Sequence, residues 1–285
     1  MKLASRCLRA SRMISTHPSL LGRRSYLFLL SHIRGYTTVF SHILGSHPEI
    51  SGYAETWISY RTVVDLYKLR FRVCNQGNFK PGARYFLDKI LHTRLSISHA
   101  TLQRNDIQYL FMIREPVATL KSMLALRRKY EKEGRPIKIC PIPATVSDAV
   151  SHYAERLTML ADIGTQLRQL GKRALVIQAE DLIADPKPVL SCLQKFLSLH
   201  SPLDEHYSVF DRTGTWHWGD PSEFIRKGKI ERKRSEHAEV SFPDSLVEQA
   251  NCAYSHCLSV LQQSFPASCH LSPKGVDAAN LQPRS

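Results

Sequence analysis

The chain has 285 residues, 43% hydrophobic and 9% aromatic, which suits one sizeable packed core and excludes wholesale disorder. Its 39 Lys and Arg outnumber 25 Asp and Glu, giving a formal charge of +14, a balance that favours nucleic acid, anionic lipid, or a polyanionic small molecule or glycan. The apolar runs are far too short to span a membrane.

The cysteines (Cys7, Cys74, Cys140, Cys192, Cys252, Cys257 and Cys269) are scattered and never spaced Cys-x-x-Cys. That argues against a zinc site or disulfide framework and for reduced thiols in the cytoplasm.

Residues 1–24 read as a basic arm: Lys2, Arg6, Arg9, Arg12, Arg23 and Arg24 precede any acidic residue. The opening MKLASRCLRASRMIS mimics an organellar transit peptide but lacks the apolar centre of a secretory signal. A first strand near Tyr26 leaves little room for a cleaved segment, so an uncleaved arm is expected, with organelle targeting as the alternative. Such an arm could touch an anionic membrane weakly.

Three apolar runs follow: YLFLL at 26–30, YLFMI at 109–113 and ALVIQ at 174–178. Each has the pattern of a strand covered on both faces. Helical spacing lies between and after them: Val39, Phe40, Ile43 and Leu44, then Pro116 to about Tyr130, then 147–172 and 185–199. Alternating strands and helices predict a three-layer α/β/α arrangement with a central parallel sheet over 25–265. The Ser-, Pro-, Gly- and Asn-containing tail, 266–285, is expected to be loose.

Ligands of such sheets bind where strand C-termini meet helix N-termini. The turn after YLFLL is Arg34-Gly35-Tyr36-Thr37-Thr38, which offers a guanidinium, two hydroxyls and unpaired helix N–H groups to an anion. The second strand runs into Arg114-Glu115-Pro116, with Ser122 eight residues after the arginine. A buried arginine there is costly unless an anion meets it.

These segments resemble PAPS-dependent sulfotransferases. Arg34 to Thr38 is similar to their 5′-phosphosulfate loop, and Arg114-Glu115-Pro116 with Ser122 to their 3′-phosphate stretch. AEDLIADPKPVLSCLQKFLSL (179–199) resembles their Tyr-Glu-Asp-Leu segment, and FIRKGKI (224–230) their late Arg-Lys-Gly loop.

The resemblance implies a P-loop NTPase-like sulfotransferase fold. It implies transfer of a sulfuryl group from PAPS to a hydroxyl or amine, with no metal required. It places Arg34, Gly35, Tyr36, Thr37, Thr38, Arg114, Ser122, Arg226, Lys227 and Gly228 around the cofactor, with Arg34 also at the moving group. Glu55, 21 residues after Arg34, falls where tyrosylprotein sulfotransferases and several bacterial relatives have a glutamate base. Lys89, in FLDKILH, matches a lysine at the bridging oxygen, and His92 is the competing base.

The chain departs from the pattern at Gly35-Tyr36, where Ser-Gly is usual. Val39 replaces a tryptophan and Ala179 a tyrosine, which leaves Phe224 or Trp216 to stack on adenine. Gly35 is expected to supply the flexible position one residue early.

The acceptor stays open among carbohydrate, peptide tyrosine, lipid headgroup and small alcohol or amine, with residues 132–146 a possible contributor to its pocket. Two alternatives are a P-loop kinase or NTPase, although no Gly-Lys-Ser/Thr is present, and a non-catalytic protein binding anions or nucleic acid. No specific nucleic-acid signature appears.

Overall fold

The computed structural model describes residues 11–134, 142–214, 223–232 and 240–266. Its strands are β1 (Ser25–Ser31), β2 (Ile50–Ser51), β3 (Tyr85–Ile90), β4 (Ile107–Ile113) and β5 (Ala174–Gln178). They form one parallel sheet in the order β2-β3-β1-β4-β5. The three apolar runs are β1, β4 and β5. Strand β3 escapes an apolar-run criterion because Asp88 and Lys89 interrupt YFLDKI, yet all six of its residues are buried.

The helices are α1 (Thr37–Ser46), α2 (Val63–Asn75), α3 (His99–Leu102), α4 (Pro116–Lys132), α5 (Val146–Gln169), α6 (Ala179–Ala184), α7 (Pro186–Leu197), α8 (Glu223–Arg226) and α9 (Asp244–Ser264). Tyr26, Phe28 and Leu30 of β1 point into one core with α2, α4, α5 and α9. Leu27 and Leu29 point into the other with α1, α6 and α7. This is the expected three-layer α/β/α arrangement, and the period-two alternation of β1 feeds both layers.

Helix boundaries follow local chemistry. A reciprocal Thr145–Asp148 capping box starts α5 one residue earlier than expected, and Gly171, at φ 63°, follows its end. The expected 185–199 helix is α7, preceded by the separate α6. Helix α9 lies outside the sequence expectation. It packs close on α5 at Gly164, where a Cβ would stand 2.5 Å from Leu261 Cδ2.

Cys192 is disulfide-bonded, against the expectation of reduced thiols. Among the described residues Cys74, Cys252 and Cys257 are free. Pairing depends on proximity in the fold, which sequence spacing does not carry. No described helix is long and apolar enough to cross a membrane.

The topology sets the site. From β1 the chain builds β2 and β3 on one side, then returns to place β4 on the other. Helices α1 and α4, which follow β1 and β4, leave on opposite faces of the sheet. A crevice therefore opens above the C-terminal ends of these two strands.

Candidate active site

The loop after β1 is wound tightly. Arg34 and Tyr36 both have positive φ, 66° and 57°, whereas Gly35 does not. This corrects the expectation that Gly35 supplies the flexible position. Gly35 supplies room instead: a Cβ there would lie 2.8 Å from Ser31 Oγ and 3.2 Å from the His32 carbonyl. Tyr36 itself takes the left-handed conformation as N-cap of α1, and its side chain makes no cap hydrogen bond.

The base of the loop is fixed from below. Ser31 Oγ donates to the Met112 carbonyl of β4. His32 Nδ1–H donates to the Ile33 carbonyl at 3.0 Å, and Nε2 accepts the Arg114 N–H at 3.1 Å. Burial holds the His32 pKa down at about 3, and the charges of Arg114 and Arg156 press the same way.

Arg114, 7% exposed, closes the crevice from the β4 side. Its Nη1 donates to the Arg34 carbonyl at 2.9 Å and its Nη2 to Tyr36 Oη at 3.0 Å. Its guanidinium carbon stands 4.0 Å from the centre of the Tyr36 ring. Nε has no partner among the described residues, and none of their carboxylates pairs with this cation. Arg34 Nε donates to Ser122 Oγ at 2.9 Å, so the first-loop arginine and the α4 serine meet directly. Burial lowers the Arg114 pKa, and the neighbouring Arg34 adds to that.

The acidic residues here serve the scaffold. Glu115 caps α4 by accepting the Val117 and Ala118 N–H groups, and Glu180 of α6 accepts the Glu115 N–H. Tyr153 Oη donates to the Arg114 carbonyl at 2.6 Å.

The second part of the site lies above β3. Glu55, Lys89 and His92 come together: Glu55 Oε1 is 4.0 Å from Lys89 Nζ, and Oε2 is 3.1 Å from His92 Nε2. Lys89 is 1% exposed and His92 2%. Buried Asp88 places the Glu55 segment by accepting from the Thr56 N–H, the Thr56 hydroxyl, the Tyr60 hydroxyl and the Lys89 N–H.

Arg156 of α5, fully buried, binds the Ser31, Ile90 and His92 carbonyls through its three nitrogens. It thereby ties the ends of β1 and β3 together, and burial lowers its pKa to about 10.

The Arg-Lys-Gly segment is moored beside α1. The Tyr207 N–H donates to the Gly228 carbonyl at 2.8 Å, and the Ile230 N–H to the Glu205 carbonyl. Gly228, at φ 67°, passes close to the Tyr207 carbonyl. Phe210 stacks on Tyr53 at 4.1 Å. His42 of α1 donates from Nδ1 to the Thr38 carbonyl, and its Nε2 accepts from the Thr213 hydroxyl. Burial and the Lys89 charge lower the His42 pKa to about 4.

Arg226 and Lys227 are exposed, and Lys227 pairs with Glu231 at 3.2 Å. Phe224 is 38% exposed. Trp216 and residues 135–141 lie outside the described residues.

No protein-family model and no curated protein matches the sequence. Among solved structures, the chain is similar to sulfotransferase STF9 from Mycobacterium avium, with a TM-score of 0.49 and 13% identity over 89% of this chain and 81% of that one. It is also similar to sulfotransferase STF1 from Mycobacterium tuberculosis H37Rv, with a TM-score of 0.48 and 14% identity over 87% of this chain and 82% of that one.

Three contributors escape sequence reasoning. His32 sits in the loop but is one of 13 histidines, and nothing in its context marks its bond to Arg114. Arg156 lies on a helix of ordinary amphipathic pattern. Its signal is its place on the face that carries Tyr153, Leu157 and Leu160, all buried. Asp88 is an unremarked part of FLDKILH in the sequence, whereas in the fold it positions the segment that brings Glu55 to Lys89.

Proposed function

We propose that the protein is a PAPS-dependent sulfotransferase. The observation that carries this reading is Arg114: a buried cation whose Nε has no partner among the described residues, beside a second guanidinium and the N-terminus of α1, where the Tyr36 side chain makes no cap bond. Such an arrangement calls for an anion with several oxygens. A ligand with two phosphate-type groups fits the donors offered by Arg34 and the N–H groups around Gly35 to Thr38 on one side and by Arg114 and Ser122 on the other.

In this reading Gly35 to Thr38 and Arg34 hold the 5′-phosphosulfate. Arg114 and Ser122, with Arg226, Lys227 and Gly228 closing from above, hold the 3′-phosphate and so select PAPS over adenylates without it.

Bound PAPS supplies an activated sulfuryl group on a phosphate leaving group. The acceptor oxygen or nitrogen forms a bond to sulfur while the bond from sulfur to the bridging phosphate oxygen breaks. Glu55 takes the acceptor proton. Lys89, buried next to Glu55, stabilises charge growing on the leaving oxygen.

Thermal unfolding with 3′,5′-ADP, AMP and ATP tests the reading, followed by transfer of labelled sulfate from PAPS to a panel of alcohols, amines, glycans and tyrosine peptides. Selective stabilisation by 3′,5′-ADP together with label transfer is expected. A chain that 3′,5′-ADP does not stabilise, or one that uses ATP with a divalent cation, overturns it.

A further inference from the structure

His92 has one side-chain hydrogen bond among the described residues, from Nε2 to Glu55 Oε2 at 3.1 Å. Its Nδ1 is buried and without a partner among the described residues. A core histidine kept only for packing would have both nitrogens satisfied or be replaced by an apolar ring. This ring is instead committed to a single carboxylate.

The ring is itself held. Trp57 stacks on it at 4.2 Å with 20° between the planes, and the Arg94 guanidinium stands 4.6 Å from the centre of the Trp57 ring. Trp57 has φ 58°, a conformation that a bulky residue keeps only where its surroundings over-determine it. Its neighbour Thr56 is bonded to Asp88 through both backbone and hydroxyl, and Ile58 is buried. The chain from Glu55 to Trp57 therefore grips His92 from an edge and a face at once.

We infer that Glu55 and His92 are one unit rather than rival bases, with His92 the positioning residue. Its Nε2–H fixes Oε2 of Glu55. The other oxygen, Oε1, then faces Lys89 Nζ as an ion pair at 4.0 Å, on the side where that lysine meets the leaving group, and is the one that receives the acceptor proton. Glutamate has three side-chain torsions, and a base works only within a narrow range of positions. The imidazole removes that freedom.

This inference rests on the sulfuryl-transfer reading, and two variants separate the roles. H92Q keeps an N–H donor near the place of Nε2. H92F keeps the ring stacked on Trp57 and loses the donor. H92F is expected to lower kcat by roughly 10- to 100-fold, with an unchanged KM for PAPS and unchanged stabilisation by 3′,5′-ADP, while H92Q recovers most of the loss. E55Q and E55Q/H92F are expected to be equally slow, because the two groups act as a unit.

Full activity in H92F, additive losses in the double variant, or equal failure of H92Q and H92F would overturn the assignment. A readout free of the acceptor keeps the two readings apart. In 15N-histidine spectra the His92 Nε2–H signal, assigned by its absence in H92Q, is expected to shift in E55A. An unmoved signal rejects the pair even if transfer is confirmed, whereas a wild-type protein that 3′,5′-ADP fails to stabilise rejects the transfer reading alone.

Discussion

Arg114 rests on Tyr36, which is both the platform under its guanidinium, at 4.0 Å, and the acceptor of its Nη2–H, at 3.0 Å. A left-handed backbone costs a non-glycine residue about 1–2 kcal/mol. A desolvated cation over an aromatic ring returns about 2 kcal/mol, and the phenol hydroxyl adds a hydrogen bond. Tyrosine is thus tolerated in a left-handed position that favours glycine. Tyr36→Gly removes strain and platform together, so unfolding free energy is expected to fall by only about 1–2 kcal/mol. Affinity for 3′,5′-ADP is expected to fall roughly 5- to 10-fold because Arg114 loses its support. Urea unfolding and calorimetric titration on one preparation check both parts.

Gly35 gives a sharper steric test. In Gly35→Ala the new methyl meets Ser31 Oγ at 2.8 Å, and that hydroxyl is tied to Met112 of β4. A loss of about 1–3 kcal/mol is expected from overpacking. Removing the hydroxyl in Ser31→Ala/Gly35→Ala should recover part of it, since the His32 carbonyl at 3.2 Å remains. A double-mutant cycle in urea measures the coupling, and strict additivity would contradict the predicted clash.

The unmatched charge of Arg114 predicts which phosphate is recognised. Arg114→Ala should weaken 3′,5′-ADP by about 10- to 100-fold, as loss of a charge-assisted contact does, and should leave AMP almost unchanged. Lysine at this position would restore charge without the fork that reaches the Arg34 carbonyl and Tyr36, so Arg114→Lys should recover only a fraction. Calorimetric titrations with both nucleotides measure the selectivity, and an equal loss for both would remove Arg114 from the 3′-phosphate.

The layer arrangement was legible because β1, β4 and β5 are buried on both faces and read as apolar runs. Strand β3 was not, since it carries a buried aspartate and lysine whose tolerance depends on Thr56, Tyr60 and Glu55 arriving from another segment. The same distinction runs through the site. Arg34, Arg114 and Ser122 stand at strand ends and helix starts, where local sequence implies position, and they do meet. The division of labour at Gly35 and Tyr36 was invisible, because a glycine needed for space and one needed for φ look alike in sequence. The Glu55–His92 bond joins residues 37 positions apart, and only the folded sheet brings them together.

Asp88 predicts an unusual response to pH. Burial raises its pKa from the ordinary 3.8 to about 6, although four hydrogen bonds from Thr56, Tyr60 and Lys89 work against the rise. For an acid raised above its unfolded value, the fold prefers the protonated form. The stabilising contribution is full below 3.8 and is lost as pH rises through about 6, so ionised Asp88 costs on the order of 2–3 kcal/mol at neutral pH. Asparagine can keep the network: its oxygen accepts the Thr56 and Lys89 N–H groups, and its amide donates to the two hydroxyls, which rotate to accept. Asp88→Asn is therefore expected to be more stable than the native chain at pH 8, with the advantage shrinking as pH falls through 6 toward 4. Other titrating groups, His32 and His42 among them, cancel in the difference between the two proteins. Urea midpoints for both across that range measure it, and a difference independent of pH would show that Asp88 does not titrate in this window.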